Sequence, residues 1–201
     1  MSSVTEKLLE DEITTDLVDS GYRVCKVGTD ALSRPDFDAT HGLDTSELFA
    51  FIEDTQPDQW AKVVAGHGGD IAHARSRFLQ RLAQQIDQLG TLDVLRHGIR
   101  DSSEEIRLSY RKPAFGVAPE LVAHYYANRL TVTRQLPFDP ETNETLDLCL
   151  FVNGIPVATA ELKNHLTGQN IEHAIAQYRK DRDPKNVTLG RRASRSFRGG
   201  P

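Results

Sequence analysis

Little in this chain offers covalent or soft-metal chemistry. Two cysteines occur in 201 residues, Cys25 and Cys149, each inside an apolar stretch. That excludes a disulfide framework or a thiolate metal centre and suits buried free thiols in a reducing cytosol. No apolar run approaches the ~20 residues a membrane-spanning helix needs. The acidic stretch 1–12 lacks the basic-then-apolar order of a secretory signal. No Gly-x-x-x-x-Gly-Lys-Ser/Thr loop occurs, so no ATP site is expected. Gly66-His67-Gly68-Gly69 has neither a strand before it nor a Lys after it and reads as a helix breaker. His41, His67 and His73 lack the spacing of a zinc site. A surplus of positive charge is also missing: the formal net charge is -5, which taken alone argues against a polyanionic partner.

The charge is unevenly spread. Residues 1–95 hold 8 Lys/Arg against 17 Asp/Glu, and residues 96–201 hold 16 against 12. The second half is thus the basic one, which suits a phosphate backbone approaching one side. Hydrophobic residues at 38% and charged residues at 26% describe a soluble, globular chain.

Hydrophobic periodicity divides the sequence. Residues 4–19 carry Leu9, Ile13 and Leu17 on one face and read as a helix ended by Gly21. A short strand is expected between Gly21 and Arg34. Residues 36–98 read as a helical lobe. Asp44 or Thr45 caps a helix over 46–54, a second runs over 56–65, and Asp70 caps a long one to about Leu89. Its apolar face is read as Ile71, Phe78, Leu82 and Ile86. The lobe either buries a modest core of its own or packs as an insertion against the sheet. Residues 99–187 change character: strands are expected over 105–111, 130–136, 145–152 and 157–163, with helices over 119–128 and 170–181. Trp60 and Tyr125-Tyr126 read as core or packing residues and not as base-stacking platforms. The last twelve residues, with four Arg, three Gly and no acid, are expected to be disordered. The expected organisation is one domain over 1–187 followed by that tail.

The chemistry centres on Glu161-Leu162-Lys163. Along a strand, i and i+2 share a face, so Glu161 and Lys163 project together from an otherwise apolar run. Leaving such charges buried and unpaired costs several kcal/mol. Asp147 is a lone acid in the preceding apolar strand, and Asn153-Gly154 between the two strands is a strong hairpin signal. Register decides whether the acids meet. A two-residue turn pairs Val152 with Ile155 and sets Asp147 opposite Ala160. One extra residue sets Asp147 opposite Glu161. A longer loop or a bulge near Ile155-Pro156 is therefore expected, and Pro156, which cannot donate to a ladder, favours one. Two such carboxylates repel, and a hard divalent cation such as Mg²⁺ relieves the repulsion. With Lys163 beside it, the trio has the equipment for phosphodiester hydrolysis.

The stretch 144–183, with LDLCLFVNGIPV, ELKN, TGQ and AIAQYRKDRDP, resembles the N-terminal nuclease domain of the restriction subunit of type I restriction–modification enzymes. The opening LLEDEITTDLVDSGY is similar as well. The resemblance covers 104–185 and the N-terminus, is poor over 36–98, and is not seen after Val187. It implies an α/β fold of the PD-(D/E)xK nuclease type, a mixed sheet of four or five strands flanked by helices, with the helical lobe added. It further implies Asp147 and Glu161 as Mg²⁺ ligands, Lys163 as catalytic lysine, and a further acid ligand from the first helix, Glu10 or its neighbour Glu12. The family's Gln-x-x-x-Tyr element is matched by Gln177, although position 181 is Asp and the tyrosine stands at 178. Arg179, Lys180 and Arg182, at the basic end of that helix, are candidates for DNA contact or for helix-dipole complementation. DNA and the modification and specificity subunits are the implied partners, in the cytoplasm and away from membranes. The rival expectations are a truncated module that binds DNA or sister subunits without cutting, and a PD-(D/E)xK repair nuclease.

Overall fold

The computed structural model describes residues 2–25, 36–114, 118–138, 145–162, 187 and 195–199. Helix α1 (Ser2–Asp19) ends where Gly21, at φ 97°, lets the chain reverse. The Gly21 amide donates to Val18 O and the Tyr22 amide to Leu17 O, a Schellman closure. Strand β1 (Arg23–Val24) follows.

A small hairpin, β2 (Phe37–Asp38) and β3 (Leu43–Asp44), leads into four helices, α2 (Thr45–Thr55), α3 (Pro57–Gly66), α4 (Ile71–Leu89) and α5 (Thr91–His97). Asp44 is the cap of α2, accepting from the Glu47 amide at 3.2 Å, and Asp70 caps α4 through the His73 amide at 3.1 Å. The buried stripe of α4 begins at Ala74 and continues through Phe78, Leu82 and Ile86, while Ile71 is exposed. Ile71 opens the helix, one turn ahead of the packed region, so its apolar character does not reach the core. Trp60 packs between Phe49 and Phe78, as a core residue.

The lobe does not keep its core to itself. Its cluster, with Leu48, Phe51, Phe78, Leu82 and Val94, also takes in Ile106, Leu108 and Ile155 from the second half. Strands β4 (Ile99–Asp101) and β5 (Glu104–Ile106) form a separate two-stranded hairpin. The strand expected over 105–111 therefore ends at Ile106 and does not join the main sheet. Side-chain amides take over its backbone: Gln56 accepts from Arg107 N at 2.7 Å and donates to Arg107 O at 2.9 Å. Asn128 does the same at Tyr110, at 3.1 and 2.7 Å.

After α6 (Pro119–Tyr126) come β6 (Leu130–Pro137), β7 (Thr145–Val152), β8 (Ile155–Leu162) and β9 (Arg195–Gly199). The main sheet runs β1-β6-β7-β8-β9, parallel at both edges and antiparallel in the middle. Two expectations change here. The stretch read as a disordered tail supplies β9, because the open edge of β8 offers backbone partners to any extended segment, whatever its composition. Tyr126 is 76% exposed and α6 buries none of its residues, so Tyr125-Tyr126 is not core; the two rings pack on each other. Helix α1 covers one sheet face, with Leu9, Ile13 and Leu17 against Val132, Leu148 and Leu162.

The β7–β8 turn is the tightest joint. Asn153 (φ 51°) and Gly154 (φ 78°) make a two-residue turn with both central φ positive, as a hairpin twist requires. The tip docks on the lobe, where Gly154 O accepts from Asp44 N at 2.8 Å. Asn153 is fully buried and bonds Leu108 O, Asn128 Oδ1 and the Arg129 amide. A Cβ on Gly154 would overlap Asp44 O and Leu48 N, whereas one on Gly69, at φ 84°, would meet nothing. Gly154→Ala is expected to destabilise the chain by about 2–4 kcal/mol, on the order of 5–15 °C in melting temperature, and Gly69→Ala by about 1 kcal/mol. Thermal unfolding of the two variants checks the difference, which isolates the collision from the φ penalty.

Candidate functional site

The site is built on the β7–β8 ladder. From the turn, Val152 pairs with Ile155 and Phe151 with Pro156, the two-residue register. Leu150 then pairs with Ala158, so Val157 is the extra residue of a bulge. Beyond it, Cys149 pairs with Thr159 and Leu148 with Ala160. Of the two expected irregularities, a longer loop or a bulge, the chain uses the bulge. Continued one step, the shifted register sets Asp147 across from Glu161, on the face that Cys149 and Thr159 share.

The regular ladder stops at Leu148–Ala160, and side-chain chemistry replaces it. Asp147 Oδ2 accepts from the Leu162 amide at 2.6 Å, and Asp147 Oδ1 accepts from Gln135 Nε2 at 3.2 Å. Asp147 is half-buried, and Glu161 is 9% exposed. Each Asp147 oxygen thus accepts a hydrogen bond from a described residue, and a carboxylate oxygen has a second lone pair to offer. Two carboxylates on adjoining strands, one of them buried, offer hard oxygen donors of the chemistry that suits a cation of the Mg²⁺ kind. Among the described residues, no group of three or more His, Cys, Asp or Glu side chains is assembled to hold a metal.

The first-helix acids separate cleanly. Glu10 is 7% exposed and faces the sheet, while Glu12 is exposed. Glu10 is taken by Arg134 on β6, with Nε at 2.8 Å, and Asp11 meets the same guanidinium at 2.6 Å. The hydrogen bond to Glu10 is the largest influence holding the Arg134 guanidinium protonated above its ordinary range; burial opposes it, and the charges of Glu10 and Asp11 add to it. Arg134 pairs with Leu148, one residue from Asp147, so strand alternation turns it toward α1 and the opposite face from Asp147. The structure therefore brings Asp147 to Gln135 and the Leu162 amide, and Glu10 to Arg134. Lys163, Gln177, Arg179, Lys180 and Arg182 lie outside the described residues.

Gln135, Thr145 and Arg134 had no place in the sequence reading. Gln135 shares the Thr131–Thr133 face of β6 in the alternating LTVTRQL, but nothing in that pattern announces its contact with Asp147. The histidines meet local partners: His41 bonds Asp38 at 2.6 Å and His67 bonds Asp101 at 2.9 Å. Cys149 is buried in the sheet, Cys25 is half-buried, and neither forms a disulfide.

A mixed five-stranded sheet, covered on one face by a helix and carrying acids on adjoining strands, defines an α/β chain of nuclease-like fold. The family model for the N terminus of the type I restriction enzyme R protein matches residues 52–197, and the chain belongs to that family. Neither the curated proteins nor the solved structures gave a match. The matched range corrects two expectations. It includes most of the helical lobe, where a poor resemblance is expected, and it continues past Val187 into β9. Both stretches pack on or pair with the sheet that carries the motif.

Arg134→Met is expected to destabilise the fold by about 1–3 kcal/mol, a range that allows for the guanidinium's partial exposure, because it leaves Glu10 buried without its cation. Glu10→Gln in the same chain should recover much of the loss. A double-mutant cycle in urea measures this, and fully additive losses would show that the pair does not interact.

Proposed function

We propose that this chain is the Mg²⁺-dependent endonuclease domain of a type I restriction R protein, hydrolysing DNA phosphodiester bonds. The observation that carries the reading is the bulge at Val157. It changes a register that would separate the two acids into one whose continuation by one step would set them opposite each other. A bulge beside the reacting groups is a common device for aiming side chains. Family membership supports the same reading.

In this proposal Asp147 and Glu161 hold the cation, with Glu10 the candidate from the first helix. When bound, Mg²⁺ supplies Lewis acidity, lowering the pKa of a coordinated water and offsetting charge on the phosphodiester. The protein groups do the rest. The Leu162 amide and Gln135 hold the ionised Asp147 in place. Lys163, two residues after Glu161 in an alternating run, positions the attacking water, accepts its proton, or stabilises the charge that develops on phosphorus-bound oxygen. Gln177 contacts the lysine or DNA, and Arg179, Lys180 and Arg182 meet backbone phosphates. The modification and specificity subunits are the proposed protein partners, and the sequence specificity of the complex would lie with them.

Supercoiled plasmid with Mg²⁺ tests the reading. Cleavage by the wild-type chain is expected to fall at least about 100-fold in Asp147→Ala and in Lys163→Ala, with circular dichroism unchanged. Cleavage equal to wild type in both variants overturns the site. Binding of plasmid with no cleavage by any of the three proteins would instead favour a DNA-binding module.

A further inference from the structure

Gln135 stands in a conformation its sequence does not ask for. Its φ is 47°, in the left-handed region, in the middle of strand β6. Bulky side chains enter that region at a cost of order 1 kcal/mol and persist there only where the surroundings impose it. The ladder records the event. Arg134 pairs with Leu148 and Leu136 with Leu146, but the position between them, Gln135 opposite Asp147, forms no bridge.

What the interruption provides is a hydrogen-bond chain. Thr145 Oγ1 donates to Gln135 Oε1 at 3.0 Å, and Gln135 Nε2 donates to Asp147 Oδ1 at 3.2 Å. An ionised carboxylate only accepts, so the amide must turn its NH₂ toward Asp147. The other Asp147 oxygen is held by the Leu162 amide at 2.6 Å. The carboxylate is thereby clamped at both oxygens, from β6 on one side and β8 on the other. Arg134, the charged neighbour, is engaged by Glu10 and Asp11 and cannot take Gln135's place.

We propose that Gln135 is a positioning residue that fixes the Asp147 side chain for cation binding. The inference rests on the metal reading of Asp147 and deepens it. Groups that orient a metal ligand in this manner typically alter metal affinity by about 10- to 100-fold when removed.

Two substitutions separate positioning from strain. Gln135→Gly relieves the φ penalty while deleting the amide, and Gln135→Met keeps the side-chain length without the donor. Full-length wild type, both variants and Asp147→Asn would be titrated with Mn²⁺ alone by calorimetry, and the Asp147 χ1 measured from three-bond NMR couplings. Gln135→Gly is expected to melt no lower than wild type, to average its Asp147 rotamer, and to bind Mn²⁺ about 10-fold more weakly. Where Asp147→Asn weakens Mn²⁺ binding, wild-type affinity in Gln135→Gly overturns the proposal. Weakened affinity with the rotamer still fixed overturns the positioning role. Where Asp147→Asn has no effect on Mn²⁺, the metal reading fails by itself. The Asp147 rotamer in Gln135→Gly then decides alone: an averaged χ1 upholds Gln135 as that side chain's anchor, and a fixed one removes it.

Discussion

The two-residue side-chain period of a β-strand governs this molecule. A slip of one residue turns every side chain to the other face, so the acids of β7 and β8 can share a face in only one of two registers. The turn alone selects the other one. Asn153-Gly154 imposes a two-residue closure, and the proline three residues after Asn153 breaks the ladder's donor pattern. Val157 then absorbs the mismatch. The tight turn and the shifted register coexist because Val157 is the extra residue of a bulge between them.

A register set this way needs a fixed tip, and the helical lobe provides it. Asp44 caps α2 with its side chain while its amide holds Gly154, so one residue ties a helix start to the hairpin. Ile155 enters the lobe's core, and Asn153 gathers the Leu108, Asn128 and Arg129 backbone and side-chain groups around it. Arg129 adds ion pairs to Glu47 and Asp54 on α2. The burial of these groups makes the lobe part of the same cooperative unit as the sheet. An insertion with a separate core would leave the tip free to fray.

The two faces of the sheet divide the charge. Toward α1, Arg134 neutralises Glu10 in a buried pair whose worth is chiefly that neither charge is left alone. On the other face, the described residues that hold Asp147 are neutral donors, the Gln135 amide and the Leu162 N–H. Neutral donors orient a carboxylate without cancelling its charge, which leaves it competent toward a divalent ion. The strained backbone at Gln135 belongs to the same arrangement, since strain of this kind collects where surrounding structure demands an unusual side-chain position.

Local signals carried much of the architecture. Gly21 as a helix stop, Asp44 and Asp70 as caps, Asn153-Gly154 as a turn and the alternation of β6, β7 and β8 follow from backbone preferences and short-range hydrogen bonds. The need for an irregularity near Pro156 was also legible, because pairing arithmetic and proline's missing donor are properties of the chain itself. Other features were decided only in three dimensions. Whether the extra residue fell in the turn or the strand depended on the lobe gripping Gly154. Residues 107–111 left the sheet because Gln56 and Asn128, distant in sequence, supplied the amides. The Arg-rich tail became β9 because β8 had an open edge. Above all, Asp147 stood out in sequence as a lone acid, but its clamp by Gln135 and Leu162 required three strands to converge, and no local pattern encodes a contact between chain positions that meet only when the sheet is complete.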